Sequence, residues 1–255
     1  RDSAPGELDV TVVCNGCRDD TAGAARRAAS ELGHDVTVLE LPEAGKARAL
    51  RAAEELRPGY PRLYLDADVV CPSATARSLL RAVQAGWDVA VPSRVLDLAG
   101  CGPLARRYYA TWAELPWVRE QLAGRGAYAV GDALREVLAT LPEVVAEDRL
   151  VTASVPRDRA TVVAEPVTVA PPARVADIVR VRSRVYSGNV LVQAPTHDRG
   201  AAHRVGGLLR LGLRPTRWPG LLVFVAVSGL AKVRAAAAVR RGSTTWERDP
   251  RRVTA

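Results

Sequence analysis

The stretch PRLYLDADVV, Pro61 to Val70, carries an apolar strand straight into two carboxylates one residue apart. Apolar and β-branched residues opened by a proline read as a strand. Ending such a strand in paired acids is costly unless something cationic neutralises them. On an extended backbone residues i and i+2 share a face, so Asp66 and Asp68 are expected to turn toward one hard cation, Mg or Mn, which prefers oxygen ligands. A metal held by one or two carboxylates keeps positions open for phosphate oxygens, and the ligand expected there is a diphosphate. Two solvated carboxylates at a strand end are the competing reading.

Upstream, LDVTVVC reads as a buried strand closed by the turn-prone pair Asn15-Gly16. Asp20 or Thr21 then caps a helix in which Ala25, Ala28, Ala29 and Leu32 recur at helical spacing until Gly33. DVTVLEL is a second strand, and a helix from about Lys46 to Arg57 leads into the third, PRLYLDADVV. Downstream, Ser73 caps a helix with Ala76, Leu79, Leu80 and Val83 on one face that Gly86 stops, and WDVAVPS is a fourth strand. Strands alternating with helices predict βαβ units, a Rossmann-like and mainly parallel α/β sheet flanked by helices. Ligands bind such sheets beyond the carboxyl ends of the strands, where CNGCRDDT (14–21) and Asp66-Ala67-Asp68 both fall.

CNGCRDDT offers a second chemistry, since Cys14 and Cys17 form a Cys-x-x-Cys pair. A zinc site needs a second such pair, and Cys71 and Cys101 stand alone. A redox pair would open a helix, whereas Cys14 closes a strand. The weight therefore falls on Asp19 and Asp20.

Further along, TVVAEPVTVAPP reads as an edge hairpin or strand pair, and DIVRVRSRVYSGN as a helix with a basic face. GLLVFVAVSGLA gives 12 uncharged residues before Lys232, short of the ~20 needed to span a bilayer. That segment is expected to lie in a membrane interface or to be a core helix.

With 255 residues, 48% of them hydrophobic and 25% charged, the chain has the composition of a globular protein rather than a disordered one. Its formal net charge of +8 is unevenly placed: Arg199 to Ala255 holds 12 Lys and Arg against 2 Asp and Glu, and the rest 24 against 26. A basic tail around an apolar run and nearly free of aromatics predicts an anionic membrane surface as partner rather than nucleic acid. RDSAPGELD shows no secretory pattern, so a cytoplasmic protein is expected, peripheral on the inner face of the membrane.

NGCRDDT, EAGKARAL, YLDADVV, GRGAYAVG and AEDRLV stand in the order, and near the spacing, of inverting glycosyltransferases of family 2 with the GT-A fold, which the chain resembles from about Asp9 to Asn189. The resemblance implies a GT-A domain over 1–198 and a basic helical tail over 199–255. It implies a hexosyltransferase-like enzyme using Mn or Mg, a nucleotide-diphosphate-sugar donor, and a hydroxyl on a glycan, lipid or small molecule as acceptor. Asp66 and Ala67 would face the nucleotide sugar and Asp68 the metal, with Asp66 beside it. Asn15, Gly16, Asp19, Asp20 and Lys46 would line the nucleotide side. Asp148 would be the catalytic base, with Glu147, Gly126 and Tyr128 on the acceptor side. Arg182 and Arg184, with Arg180, resemble a basic segment over the donor phosphates, a solvated helix face being the alternative; His197 is a further metal-ligand candidate, while His34 and His203 read as structural.

Physics adds to the Asp148 reading, since sugar transfer needs a carboxylate to take the acceptor's proton and a helix N-terminus favours its negative charge. A plain N-cap is the alternative. The family normally opens with a further strand and an I-P-x-x-N-E-like loop, and none precedes LDVTVV. With Arg first and no Met, the chain is expected to be a fragment or processed form, its sheet short of a central strand. A relative that binds nucleotide sugar without turnover is the alternative function, and a nucleotidyltransferase would need a Gly-rich basic loop that is not visible.

Overall fold

The computed structural model describes residue 4 and residues 6–140, 147–191 and 200–241. Its strands divide between two sheets. β1 (Thr11–Asn15) and β2 (Thr37–Leu41) pair in parallel, joined by helix α1 (Thr21–Glu31). After α2 (Lys46–Leu56) the chain enters a five-stranded sheet made of β3 (Arg62–Leu65), β4 (Val69–Val70), β5 (Val89–Leu96), β6 (Ala127–Val130) and β7 (Ala160–Val169), in the order β3-β6-β5-β7-β4. β3, β5 and β7 run one way, while β6 and β4 run against them. The α/β architecture is as expected, and the sheet is mixed where a mainly parallel one was predicted.

PRLYLDADVV is two strands rather than one. β3 lies at one edge of the larger sheet and β4 at the other, so the chain must turn between them. It does so at Asp66-Ala67-Asp68, where the Val69 N–H donates to the Asp66 carbonyl at 3.1 Å. The extended backbone expected there is therefore replaced by a turn.

TVVAEPVTVAPP is likewise not a hairpin but one ten-residue strand, β7, lying between β5 and β4. Its register against β5 jumps between Pro92 and Ser93, which face Val163 and Pro166. Pro166 cannot donate to a ladder, and the two intervening residues bulge out. The carbonyls freed there are used: Ser93 Oγ donates to Ala164 at 2.6 Å and Thr75 Oγ1 to Pro166 at 2.8 Å.

Strand alternation builds the core on both faces of this sheet. Val89, Val91, Tyr128 and Val130 meet Leu138 of α6 (Arg135–Ala139) and Val151 of α7 (Glu147–Ala153), while Ala90 and Ala129 meet Leu79 and Val83 of α3 (Ser73–Gln84). A separate cluster joins α4 (Pro103–Glu114), α5 (Pro116–Glu120), α8 (Val175–Leu191), α9 (Gly200–Gly212) and α10 (Trp218–Arg240) through Tyr108, Val118, Ile178, Leu211, Phe224 and Val227. The apolar run counted as 12 residues continues through AKVRAAAAV into a helix that, over Pro215–Arg240, is long and apolar enough by length and composition to cross a membrane. It is nevertheless packed along one side on α4 and α8.

Between β1 and β3 no strand lies among the described residues. A cleft of about 2880 Å³ runs there, with Thr11, Val12 and Val13 on one side and Leu63, Tyr64 and Leu65 on the other.

Candidate active site

The loop after β1 is built by its turn. Gly16 adopts φ +60°, its N–H donates to Leu41 at 2.8 Å, and a Cβ there would lie 2.6 Å from the Ala44 nitrogen. Only glycine accepts both the dihedral and the close approach. Asn15 Oδ1 accepts from the Gly45 N–H at 3.1 Å, at the start of α2 where backbone donors lack helical partners. The loops after the first two strands are thereby fastened together, and the next residue, Lys46, is aimed across the cleft. Its Nζ lies 2.7 Å from Asp66 Oδ1.

That aim depends on the far end of the same helix. Glu54 of α2 pairs with Arg62 at 2.8 Å, both side chains mostly buried, and accepts from the hydroxyls of Tyr60 (2.8 Å) and Tyr64. Burial, reinforced by Glu54, pushes the Tyr64 phenol far above its ordinary range. The network clamps α2 onto β3, so Lys46 at the start of one meets Asp66 at the end of the other. Neither Glu54 nor its partners stood out in the sequence, because the contact joins segments with no shared motif.

Asp66 is held on its other side by β6's approach: its N–H donates to the Gly126 carbonyl at 2.9 Å. Gly126 has φ +83°, and a Cβ there would lie 2.4 Å from Val69 Cγ2. The glycine expected on the acceptor side thus also shapes the acidic turn.

Asp148 lies in the first turn of α7, which Glu147 opens as the sequence predicted. Its Oδ2 accepts from the Gly124 N–H, and its Oδ1 from the Arg149 N–H at 2.8 Å. Gly124 in turn gives its carbonyl to Arg94, whose guanidinium lies 4.4 Å over the Trp112 ring. Arg125, 7% exposed, spans three carbonyls, those of Gln121 (2.8 Å), Arg119 (2.8 Å) and Pro92 (3.1 Å), and so fixes this loop. Burial, with the charges of Arg125 and Arg182 nearby, lowers Arg94 to about 10. Arg94 and Arg125 were missed; the only signal was an arginine just beyond a strand and another between two glycines.

Lys46, Asp66, Gly126, Tyr128 and Asp148 line one small pocket of about 60 Å³, room for a water or two rather than a sugar. Lys46, Asp66 and Asp148 also line the large cleft, together with Asn15, Gly16, Asp19, Ala67, Asp68, Arg182 and Arg184. Asp20 lies outside both linings. It precedes α1 and pairs with Arg27 at 2.8 Å, whose hydrogen bond holds its carboxyl below the usual range. Arg180 turns to Asp177 at 3.0 Å, while Arg182 donates to the Tyr186 hydroxyl at 2.8 Å. His197 lies outside the described residues, and His203 stands 3.3 Å from Glu120. Cys14 is buried and its thiol pushed up by that burial; Cys17 is exposed.

Residues 2–130 match the family described as glycosyl transferase family 2. The chain belongs to glycosyltransferase family 2. The matched span holds the Asn15-Gly16 turn, Lys46, the acidic turn and the β6 pocket wall, and family 2 membership identifies the fold as GT-A. Among curated proteins none matches the chain. The family 2 chemistry is glycosyl transfer, from a nucleotide-sugar donor to an acceptor. Among the described residues no three His, Cys, Asp or Glu gather as a metal cage. The donor set Asp66 and Asp68 fits a hard divalent ion that keeps most of its positions for water and phosphate.

Proposed function

We propose that this family 2 chain is a metal-dependent, inverting glycosyltransferase of the hexosyl type, with Asp148 as the base. The observation that carries the reading is the pocket shared by Lys46, Asp66, Tyr128 and Asp148, residues from four separate segments. Asn15, Gly16, Asp19, Asp66 and Ala67 bind the nucleotide portion, and Lys46 and the cleft arginines Arg182 and Arg184 face the phosphates. Lys46 already meets Asp66, which favours the division in which Asp68 takes the Mn or Mg. When bound, that ion neutralises the leaving diphosphate. Asp148, oriented by the Gly124 and Arg149 N–H groups, takes the proton from the acceptor hydroxyl as it attacks the anomeric carbon from the face opposite the diphosphate. Gly126 and Glu147 flank the acceptor.

The test is Asp148→Asn assayed against a panel of nucleotide sugars with Mn. Donor binding is expected to persist while transfer falls by ~10²-fold or more, in the range of a lost general base. Transfer that survives would place the base elsewhere. A second reading is a GT-A relative that binds nucleotide sugar without turnover, for which the unaltered chain would bind donor and transfer nothing.

A further inference from the structure

The last two helices present an apolar strip that nothing among the described residues covers. On α10, Phe224, Val227, Ala231 and Ala235 point into the core shared with α4 and α8. The opposite side carries Trp218, Leu222, Val225, Leu230 and Val233, each 52 to 70% exposed. α9 repeats the pattern at helical spacing with Val205 and Leu209, and Leu213 follows at 82% exposure. Single exposed leucines are ordinary, but eight large apolar side chains aligned along two helices are not.

The charge that these helices themselves carry has one sign, while Glu114 of α4 pairs with Arg217 at 2.9 Å and Glu120 of α5 lies 3.3 Å from His203. Residues 200–241 hold seven arginines and one lysine, and no Asp or Glu. We infer that this face of α9 and α10 docks on an anionic lipid surface. The apolar strip enters the interface, and the long basic side chains reach the lipid phosphates around it. Trp218 suits such a boundary: its ring is exposed while its Nε1 donates to the Gly212 carbonyl at 2.8 Å. A second copy would bring arginine against arginine, and nucleic acid would leave the apolar strip in water. α10 lies on the membrane rather than across it, because its Phe224 side is committed to α4 and α8. α8 also carries Arg182 and Arg184 of the cleft, so one helix layer separates the docked face from the site.

The experiment is co-sedimentation of the whole chain with phosphatidylcholine vesicles, with and without phosphatidylglycerol, at low and high salt. Two double variants accompany it, Leu222→Gln with Val233→Gln and Arg214→Gln with Arg240→Gln, all at exposed positions. The unaltered chain is expected on the anionic vesicles only, with salt weakening it, and each double variant is expected to lower partitioning by about tenfold with its thermal melt unchanged. Absence of binding, equal binding to neutral vesicles, or variants that bind like the parent would each overturn the inference. So would a dimer in solution that the apolar variant dissolves, which would assign the face to a second copy. The readout needs no sugar transfer and stands or falls apart from the reading of Asp148.

Discussion

Lys46 at the first position of α2 contacts Asp66 just beyond β3, Nζ to Oδ1 at 2.7 Å, across a helix-to-strand junction clamped by Glu54 and Arg62. The pair is over a third exposed, so solvent screens it and its value to stability is small. Its consequence is for the ligand. A lysine delivered to the acidic turn is a charged donor for a diphosphate, and such hydrogen bonds are worth ~1.5–3 kcal/mol. Lys46→Gln is expected to weaken nucleoside-diphosphate binding by about tenfold or more while leaving the melting temperature near its original value. Calorimetric titration decides this, and unchanged affinity would remove Lys46 from the site.

Glu54→Gln should lower stability as well as donor affinity. The Glu54–Arg62 pair is only 13 and 14% exposed, and breaking a buried pair strands a charge at a cost of about 3 kcal/mol. Denaturant unfolding is expected to show a loss of that order, with donor affinity falling as well because Lys46 loses its platform.

Arg125→Met removes hydrogen bonds to three carbonyls from a side chain 7% exposed. Its expected cost is about 2–4 kcal/mol, the range for leaving buried polar groups unpaired. The loop it fixes presents Gly124 to Asp148, so kcat should fall more than donor affinity. A variant as stable as the parent would show that the three carbonyls find other partners.

Gly126→Ala places a Cβ 2.4 Å from Val69 Cγ2 at φ +83°. The backbone strain alone costs about 1–2 kcal/mol, and the clash pushes on the turn that holds Asp66 and Asp68. Reduced stability together with weaker metal-dependent nucleotide binding is expected. A change in stability alone would separate the glycine from the acidic turn.

The Glu7 carboxyl is lowered from 4.5 to about 2, first by its hydrogen bond to Arg77 of α3. A depressed folded value stabilises above the unfolded one and is lost as pH falls. Comparing thermal melts of the parent and Glu7→Gln, the parent should hold its advantage above pH 4.5 and lose it progressively toward pH 2. An advantage that grows as the pH drops would contradict the pairing.

Local pattern was enough for the elements on either side of the site. Gly16, Lys46 and Glu147 mark a turn and helix starts that depend on a few neighbouring residues, and the structure puts them where spacing predicts, while Ser73, expected as the cap of α3, is its first residue with Pro72 in the capping place. Motifs in order were enough for the family. Pairing across the sheet was not legible: an apolar run has the same alternation whether its neighbour is parallel or antiparallel. PRLYLDADVV was therefore read as one extended strand, and TVVAEPVTVAPP as a hairpin. Nor was it legible which acid meets which base. Asp19 and Asp20 are adjacent and alike in type, yet Asp19 lines the cleft and Asp20 pairs with Arg27. Glu54 carried no signal, and Arg94 and Arg125 only their places beyond a strand and between two glycines, because their partners lie on other segments and charge and burial act through space. The sequence by itself determined the α/β order, the acidic pair following β3 and the basic C-terminal helical tail, which follow from propensity and composition. The tertiary structure alone decided that Lys46 reaches Asp66, that Gly124 holds Asp148, and that α10 turns one side to the core and the other outward, because each depends on distances that only packing sets.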